Sequence, residues 1–151
     1  IVNTTGINTV TFGAAATFGK MVDMESAVET DNALLGTLAY CTTPAAKGKL
    51  KQKVLDSGSG RFVWTSMAGD PNQDGEVNGY RAAATKQISS DKAIFGNWAD
   101  LVIMEWAGLD VTIDPTTKAE QSLVRVIITQ DQDCIVRHPV SFCVSTDSAA
   151  Q

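Results

Sequence analysis

The chain has 151 residues, of which 44% are hydrophobic, 19% charged and 7% aromatic. This balance is typical of one globular domain with a single core, and it excludes disordered and collagen-like chains. The formal net charge is -5, from 12 basic and 17 acidic side chains, and no apolar run reaches the roughly 18 residues of a membrane span. We therefore expect a soluble protein that has neither nucleic acid nor a membrane as a direct partner.

The cysteine pattern indicates neither a disulfide framework nor a zinc site. Cys41, Cys134 and Cys143 are an odd number, and none of them forms a C-x-x-C motif. We expect no cofactor and no bound metal, and a reducing cytoplasm as the place of assembly.

The first third of the chain predicts two helices around a short strand. Residues 1–16 lack a helical period and are expected to be an extended lead-in from an upstream region. Residues 17–29 carry apolar side chains near the 3.6-residue spacing of an amphipathic helix that covers a sheet. Residues 38–42 form a short apolar run that predicts a strand.

A second helix is predicted to begin at Pro44. Thr43 offers an N-cap oxygen, and proline is well suited to the first helical position. Apolar side chains at four-residue steps continue to Val54, and the glycines of residues 56–60 are expected to end the helix.

The remaining sequence is dominated by strand-like runs, with a polar loop at residues 69–79. The predicted strands are residues 61–65, 80–84, 93–95, 101–106, 109–113, 123–128, 134–136 and 140–144. Ala107-Gly108, between two of these runs, predicts a tight hairpin. Residues 110–137 resemble a projecting arm with a polar tip at residues 115–121, and such an arm leaves apolar side chains exposed unless a partner covers them.

The best match to a metal motif is the acidic loop of residues 70–78. Asp70, Asn72 and Asp74 occupy alternate positions, as in the opening of an EF-hand calcium loop. The twelfth position, where calcium needs a bidentate glutamate, is Arg81. A plain surface loop is therefore favoured over a calcium site.

Catalytic patterns are also sparse. His138 is the one histidine, and Ser141 and Cys143 are expected not to converge with it along an extended segment. Asp131 and Asp133 have the period-two spacing that places both carboxylates on one side of a strand, where a solvated or inter-subunit pair is the commoner outcome. We expect no enzyme activity.

Several segments, taken together, resemble the carboxy-terminal part of the tailed-phage major capsid family. They are Asn78-Gly79-Tyr80, residues 93–103, Gly108-Leu109-Asp110-Val111, residues 124–126 and residues 133–142, preceded by the Thr-Pro-capped helix and Arg61-Phe62-Val63-Trp64. The likeness extends over nearly all of the chain from about Thr17 onward.

The resemblance implies an α+β fold in which two helices flank a central sheet. It assigns residues 17–109 and 138–151 to an axial-domain-like body and residues 110–137 to a projecting hairpin of the peripheral domain. It also implies a structural subunit of a tailed-phage or prophage head, assembled in the bacterial cytoplasm from copies of itself as pentamers and hexamers, and found in the virion. The alternative is a small calcium-binding or hydrolytic domain that uses the loop of residues 70–78.

Under the capsid interpretation, contacts between copies are expected at the tip and along the arm. The expected contact residues are Pro115, Thr116, Thr117, Lys118, Glu120, Arg125, Asp131 and Asp133.

Overall fold

The fold contains two compact units. A computed structural model describes residues 1–13, 16–67, 74–88, 92–145 and 147. The first unit comprises Ile1–Asp100 and Val136–Gln151, and the second is Leu101–Ile135. The first unit contains two α-helices and a seven-stranded mixed sheet, whereas the second is a two-stranded sheet. The predicted α+β fold class is thereby confirmed.

The elements follow one another in a simple order. The helices are α1 (Phe18–Thr30) and α2 (Pro44–Gln52), and the strands are β1 (Asn8–Val10), β2 (Leu38–Thr42), β3 (Thr65–Ser66), β4 (Gly75–Val77), β5 (Tyr80–Ala84), β6 (Ile94–Asn97), β7 (Leu101–Asp114), β8 (Arg125–Val136) and β9 (Phe142–Ser145). The large sheet has the order β1-β9-β6-β2-β5-β4-β3. Central β2 pairs in parallel with β5 and antiparallel with β6.

Both helices begin where the sequence predicts. The hydroxyl of Thr17 accepts from the Lys20 amide at 3.4 Å, and the hydroxyl of Thr43 accepts from the Ala46 amide at 3.3 Å. These bonds satisfy amide groups that the first turn of a helix leaves without a partner. None of the helices in the described ranges is long and apolar enough to cross a membrane.

The predicted end of α2 is wrong. The helix ends at Gln52, and Val54 forms an isolated antiparallel bridge with Phe62. The Val63 amide donates to the Lys53 carbonyl at 2.9 Å, and the Leu55 amide donates to the Arg61 carbonyl at 2.8 Å. These bonds to the returning chain replace the next helical turn. They also leave only Thr65–Ser66 as a regular strand in the region predicted at residues 61–65.

The core of the first unit lies between α1 and the sheet. Met21, Met24 and Val28 of α1 are fully buried. The ring of Tyr40 on β2 packs against the ring of Phe95 on β6 at a tilt of 37°, with the ring centroids 4.4 Å apart. Pairing of the two central strands therefore brings their largest side chains together under the helix.

The amino-terminal segment is more than a lead-in. β1 pairs in parallel with β9, with Asn8 opposite Cys143. The Asn8 amide donates to the Asp31 carboxylate at 2.7 Å and to the Val140 carbonyl at 3.3 Å. Short strands of this kind carry little sequence signal, because three residues are too few to display a period.

The second unit is a hairpin built from β7 and β8. β7 runs through Ala107-Gly108 without a turn, so the tight hairpin predicted there is wrong. Ala107 has φ 59°, and such a residue within a strand is typical of a β-bulge, which inserts one extra residue. A bulge and a tight turn use the same residue types, which explains the error. The unit begins at Leu101, whereas the sequence placed the start of the arm at Asp110.

Candidate assembly surface

The hairpin exposes an unusual amount of apolar surface. Twelve of the sixteen large hydrophobic side chains exposed among the described residues belong to it: Ile103, Met104, Trp106, Leu109, Val111, Ile113, Leu123, Val124, Val126, Ile127, Ile128 and Ile135. A two-stranded ribbon has no interior in which to bury them, and such ribbons are marginally stable alone in water. A concentration of this kind marks an interaction surface.

The tip of the hairpin is tightly hydrogen-bonded. The Asp114 carboxylate accepts from the backbone amides of Thr116, at 2.9 Å, and Thr117, at 3.1 Å, and from both hydroxyls. These bonds, the Thr117 hydroxyl first among them, hold the pKa of Asp114 well below its usual range. The backbone of the tip is thus fixed by one side chain.

The structure places every predicted contact residue on the surface. The exposed tip residues are Pro115, Thr116, Thr117, Lys118 and Glu120, and the exposed strand residues are Arg125, Asp131 and Asp133. The hydroxyls of the two threonines are occupied by Asp114, and Asp133 accepts from the Cys134 amide at 2.8 Å. Their roles as contacts remain a prediction.

An ion pair in the first unit joins the two residues from which the hairpin strands depart. Asp100 directly precedes β7, and Arg137 directly follows β8. Arg137 Nη2 and Nε donate to Asp100 Oδ1 at 2.5 and 3.1 Å, and Asn97 Nδ2 donates to Asp100 Oδ2 at 2.9 Å. The backbone amide of Arg137 also donates to the Asp100 carbonyl at 2.8 Å. We call this pair the base clasp.

The hydrogen bonds of the base clasp keep Asp100 ionised. Burial by itself would raise the pKa of this carboxyl, but hydrogen bonds from Arg137, Ser141 and Asn97 outweigh it and the pKa lies below the ordinary value. Asp100 and Asn97 were not among the functional residues predicted from the sequence. Their three-residue spacing at the end of β6 was the one available signal, and it is common in turns.

His138 and Ser141 do converge, contrary to the sequence prediction. His138 Nδ1 lies 2.7 Å from Ser141 Oγ, because Pro139–Ser141 forms a 3-10 turn that brings them together. Ser141 is buried and also bonds to Asp100. A hydrolytic triad needs the histidine between serine and carboxylate, whereas here the serine lies between the other two. The arrangement extends the base clasp.

The calcium loop falls largely on residues that the structure does not describe. Asp70 and Asn72 lie outside the described residues. Asp74 is buried, and its Oδ2 accepts from Arg81 Nη2 at 2.9 Å. Arg81, which occupies the position where a calcium loop needs glutamate, therefore neutralises Asp74, one of the three candidate calcium ligands. Within the described ranges, no group of three or more His, Cys, Asp and Glu side chains could hold a metal.

Comparisons with known proteins agree with this architecture. A family model described as the phage capsid family matches residues 1–147. The chain is 31% identical over 146 residues to the major capsid protein of Halomonas phage phiHAP-1. This alignment covers 97% of this chain and 23% of that protein. The chain therefore spans about a quarter of the length of this relative.

Solved structures show the same fold. The capsid of a native GTA particle has a TM-score of 0.69 at 20% identity, covering 95% of this chain and 55% of that one. A structure from Mycobacterium phage Che8 has a TM-score of 0.65 at 11% identity, and the match covers 92% of this chain and 53% of that one. A virus-like particle from Pyrococcus furiosus has a TM-score of 0.58 at 18% identity, and the match covers 95% of this chain and 58% of that one. With a family model that matches nearly the whole chain and a fold shared with these particles, the protein belongs to the phage capsid family.

Proposed function

We propose that the chain is part of a structural subunit of a tailed-phage or prophage head. Copies of it associate as pentamers and hexamers of an icosahedral shell, in the bacterial cytoplasm, and the product resides in the virion. The named relative is a major capsid protein. The subunit acts through its surfaces and catalyses no reaction, and its partners are copies of itself.

The observation that carries this proposal is the exposed apolar hairpin. Full burial of one large aliphatic or aromatic side chain is worth about 1.5–3 kcal/mol. Twelve such side chains on one ribbon therefore hold enough transfer free energy to drive association, even after much of it is offset by lost motional freedom. In a closed shell each contact is repeated by symmetry, so individually weak contacts become collectively strong.

The two units correspond to the two roles that a shell subunit requires. The first unit, with its seven-stranded sheet and two helices, has an interior and forms the axial-domain-like body. The second unit, Leu101–Ile135, has almost none and forms the peripheral hairpin. The base clasp supports this division, because it ties together the two chain positions that limit the hairpin.

Negative-stain electron microscopy of the protein expressed from its complete gene, alone and with neighbouring genes, tests the proposal. We expect closed shells, or rings of five or six subunits. Ile128→Lys places a charge on the hairpin at a side chain that is 60% exposed, and it should abolish shells. Leu35→Lys is the matched control, since Leu35 is 70% exposed and lies in the first unit. A wild-type protein that stays monomeric under all assembly conditions would contradict the proposal.

A further inference from the structure

Positive charge is concentrated around one cleft of the first unit. Residues 47–61 contain five basic side chains and one acidic one, although the whole chain is acidic. Lys51 and Arg61 line a cleft of about 520 Å³ together with Phe62 and Trp64. Lys47 lies one helical turn before Lys51, with its ammonium group 5.4 Å from the centre of the Trp64 ring. We call this the basic cleft.

The basic cleft contains two cations that are outside any ion pair of the described ranges, and one exposed aromatic ring. Among the described residues, Lys51 and Arg61 take part in no ion pair. Phe62, beside them, is 49% exposed. Cations next to an exposed ring favour a ligand that combines negative charge with an apolar group.

The hairpin carries a complementary surface. Leu101–Ile135 contains six acidic side chains and two basic ones. Asp131, Asp133 and Ile135 alternate along β8 and therefore lie on the same side of the strand, with successive members about 7 Å apart. Both carboxylates are exposed, and Ile135 is 53% exposed. Two anions and one aliphatic side chain thus match two cations and one aromatic ring.

We propose that the basic cleft of one copy binds the Asp131, Asp133 and Ile135 side of β8 from a second copy. This inference rests on the proposed function and names a partner surface within it. A second copy is favoured over nucleic acid, because the hairpin supplies an exposed aliphatic side chain as well as two exposed carboxylates.

Charge exchange between the two surfaces tests the inference. In the protein expressed from its complete gene, Lys51→Glu with Arg61→Glu, and separately Asp131→Lys with Asp133→Lys, should each lower the yield of shells about tenfold or more, because like charges then meet. All four changes together should restore most of the yield. Lys53→Glu with Lys86→Glu is the control, since it alters the charge equally at residues that do not line the cleft.

A second measurement covers variants that fail to fold. Phe62 is replaced by a photo-crosslinking amino acid in a protein with no other change. In shells of this protein, the crosslinker should attach to a peptide from residues 124–136 of another copy. The inference is overturned if the crosslink joins other peptides or DNA, or if both doubly substituted proteins assemble normally. These results leave the proposed function intact, whereas a wild-type protein that forms no shells defeats that function itself.

Discussion

Arg137 donates two side-chain hydrogen bonds to the buried carboxylate of Asp100, while its backbone amide donates to the Asp100 carbonyl. The two residues are far apart in sequence, and they stand at the two ends of the hairpin segment. One ion pair thus joins the two chain positions between which the hairpin lies.

Replacement of Arg137 by glutamine should destabilise the first unit. The change leaves the Asp100 carboxylate buried without its cation, so we expect a loss of about 1–3 kcal/mol in the free energy of unfolding. Denaturant titration measures it. Arg125→Gln is the control, because Arg125 is exposed and should change stability by less than about 0.5 kcal/mol. Equal effects of the two substitutions would contradict the role of the base clasp.

The same substitution should alter acid stability in a defined direction. The pKa of Asp100 in the fold lies below its ordinary value of 3.8. Its ionised form therefore contributes stability that is present above pH 3.8 and is lost as the pH falls through the lower folded value. In the Arg137→Gln protein the folded pKa of Asp100 is higher, so this loss should be smaller and should be complete at a higher pH. Thermal melting between about pH 2 and pH 6 tests this, and identical profiles would refute it.

Glu25 should give the opposite pH dependence. Burial raises the pKa of this carboxyl above 4.5, although hydrogen bonds from Tyr40, at 2.5 Å, and Asn78, at 2.7 Å, act against the shift. Since the folded state holds the proton of Glu25 more tightly, the contribution of this group to stability is fully present below pH 4.5 and is lost as the pH rises through its folded pKa. Glu25→Gln should flatten this part of the stability profile. Glu105→Gln, at an exposed position, should leave it unchanged.

Two glycines should respond to alanine in opposite ways. At Gly96 a Cβ atom would lie 2.4 Å from the Ser141 carbonyl oxygen and 2.9 Å from Phe142 Cα. The two backbones would have to separate, and we expect a loss of about 3 kcal/mol or more. Gly48, inside α2, has open space around its Cα, so Gly48→Ala should gain about 0.5–1 kcal/mol. Chemical denaturation of both variants measures the difference, and a stable Gly96→Ala protein would contradict the close approach of β6 and β9.

The tip of the hairpin should loosen when Asp114 is replaced by alanine. The amides of Thr116 and Thr117 lose their acceptor, so their hydrogen exchange with solvent should accelerate. Asp110→Ala, on the same strand, should leave the exchange at the tip unchanged. If both variants exchange alike, the tip is held by something other than Asp114.

The sequence predicted the secondary structure best where it depends on interactions between neighbouring residues. Thr43-Pro44 fixed the start of α2, because a cap and a proline need only neighbouring atoms. The end of that helix escaped prediction, since the Val63 amide competes for it from a distant part of the sequence. The hairpin predicted at Ala107-Gly108 is wrong for another reason, because a tight turn and a β-bulge both need residues that can adopt a positive φ.

The features of the candidate assembly surface were likewise predictable only where they depend on neighbouring residues. The exposed apolar strands of the hairpin could be predicted, because their strand pattern is visible in the sequence. The base clasp could not, since Asp100 and Arg137 are 37 residues apart and no local pattern indicates that they pair. The predicted separation of His138 and Ser141 is wrong, because it assumes an extended segment, whereas Pro139 begins a 3-10 turn.

The seven-stranded sheet ends on one side in three-residue β1 and on the other in two-residue β3. Strands this short offer few free amides and carbonyls to a neighbouring sheet, which discourages edge-to-edge growth into fibres. A subunit that assembles into a particle, as we propose for this chain, needs this protection because its local concentration becomes high. The first unit therefore offers little strand edge to a neighbouring sheet, and twelve of the sixteen exposed large hydrophobic side chains among the described residues lie instead on the hairpin.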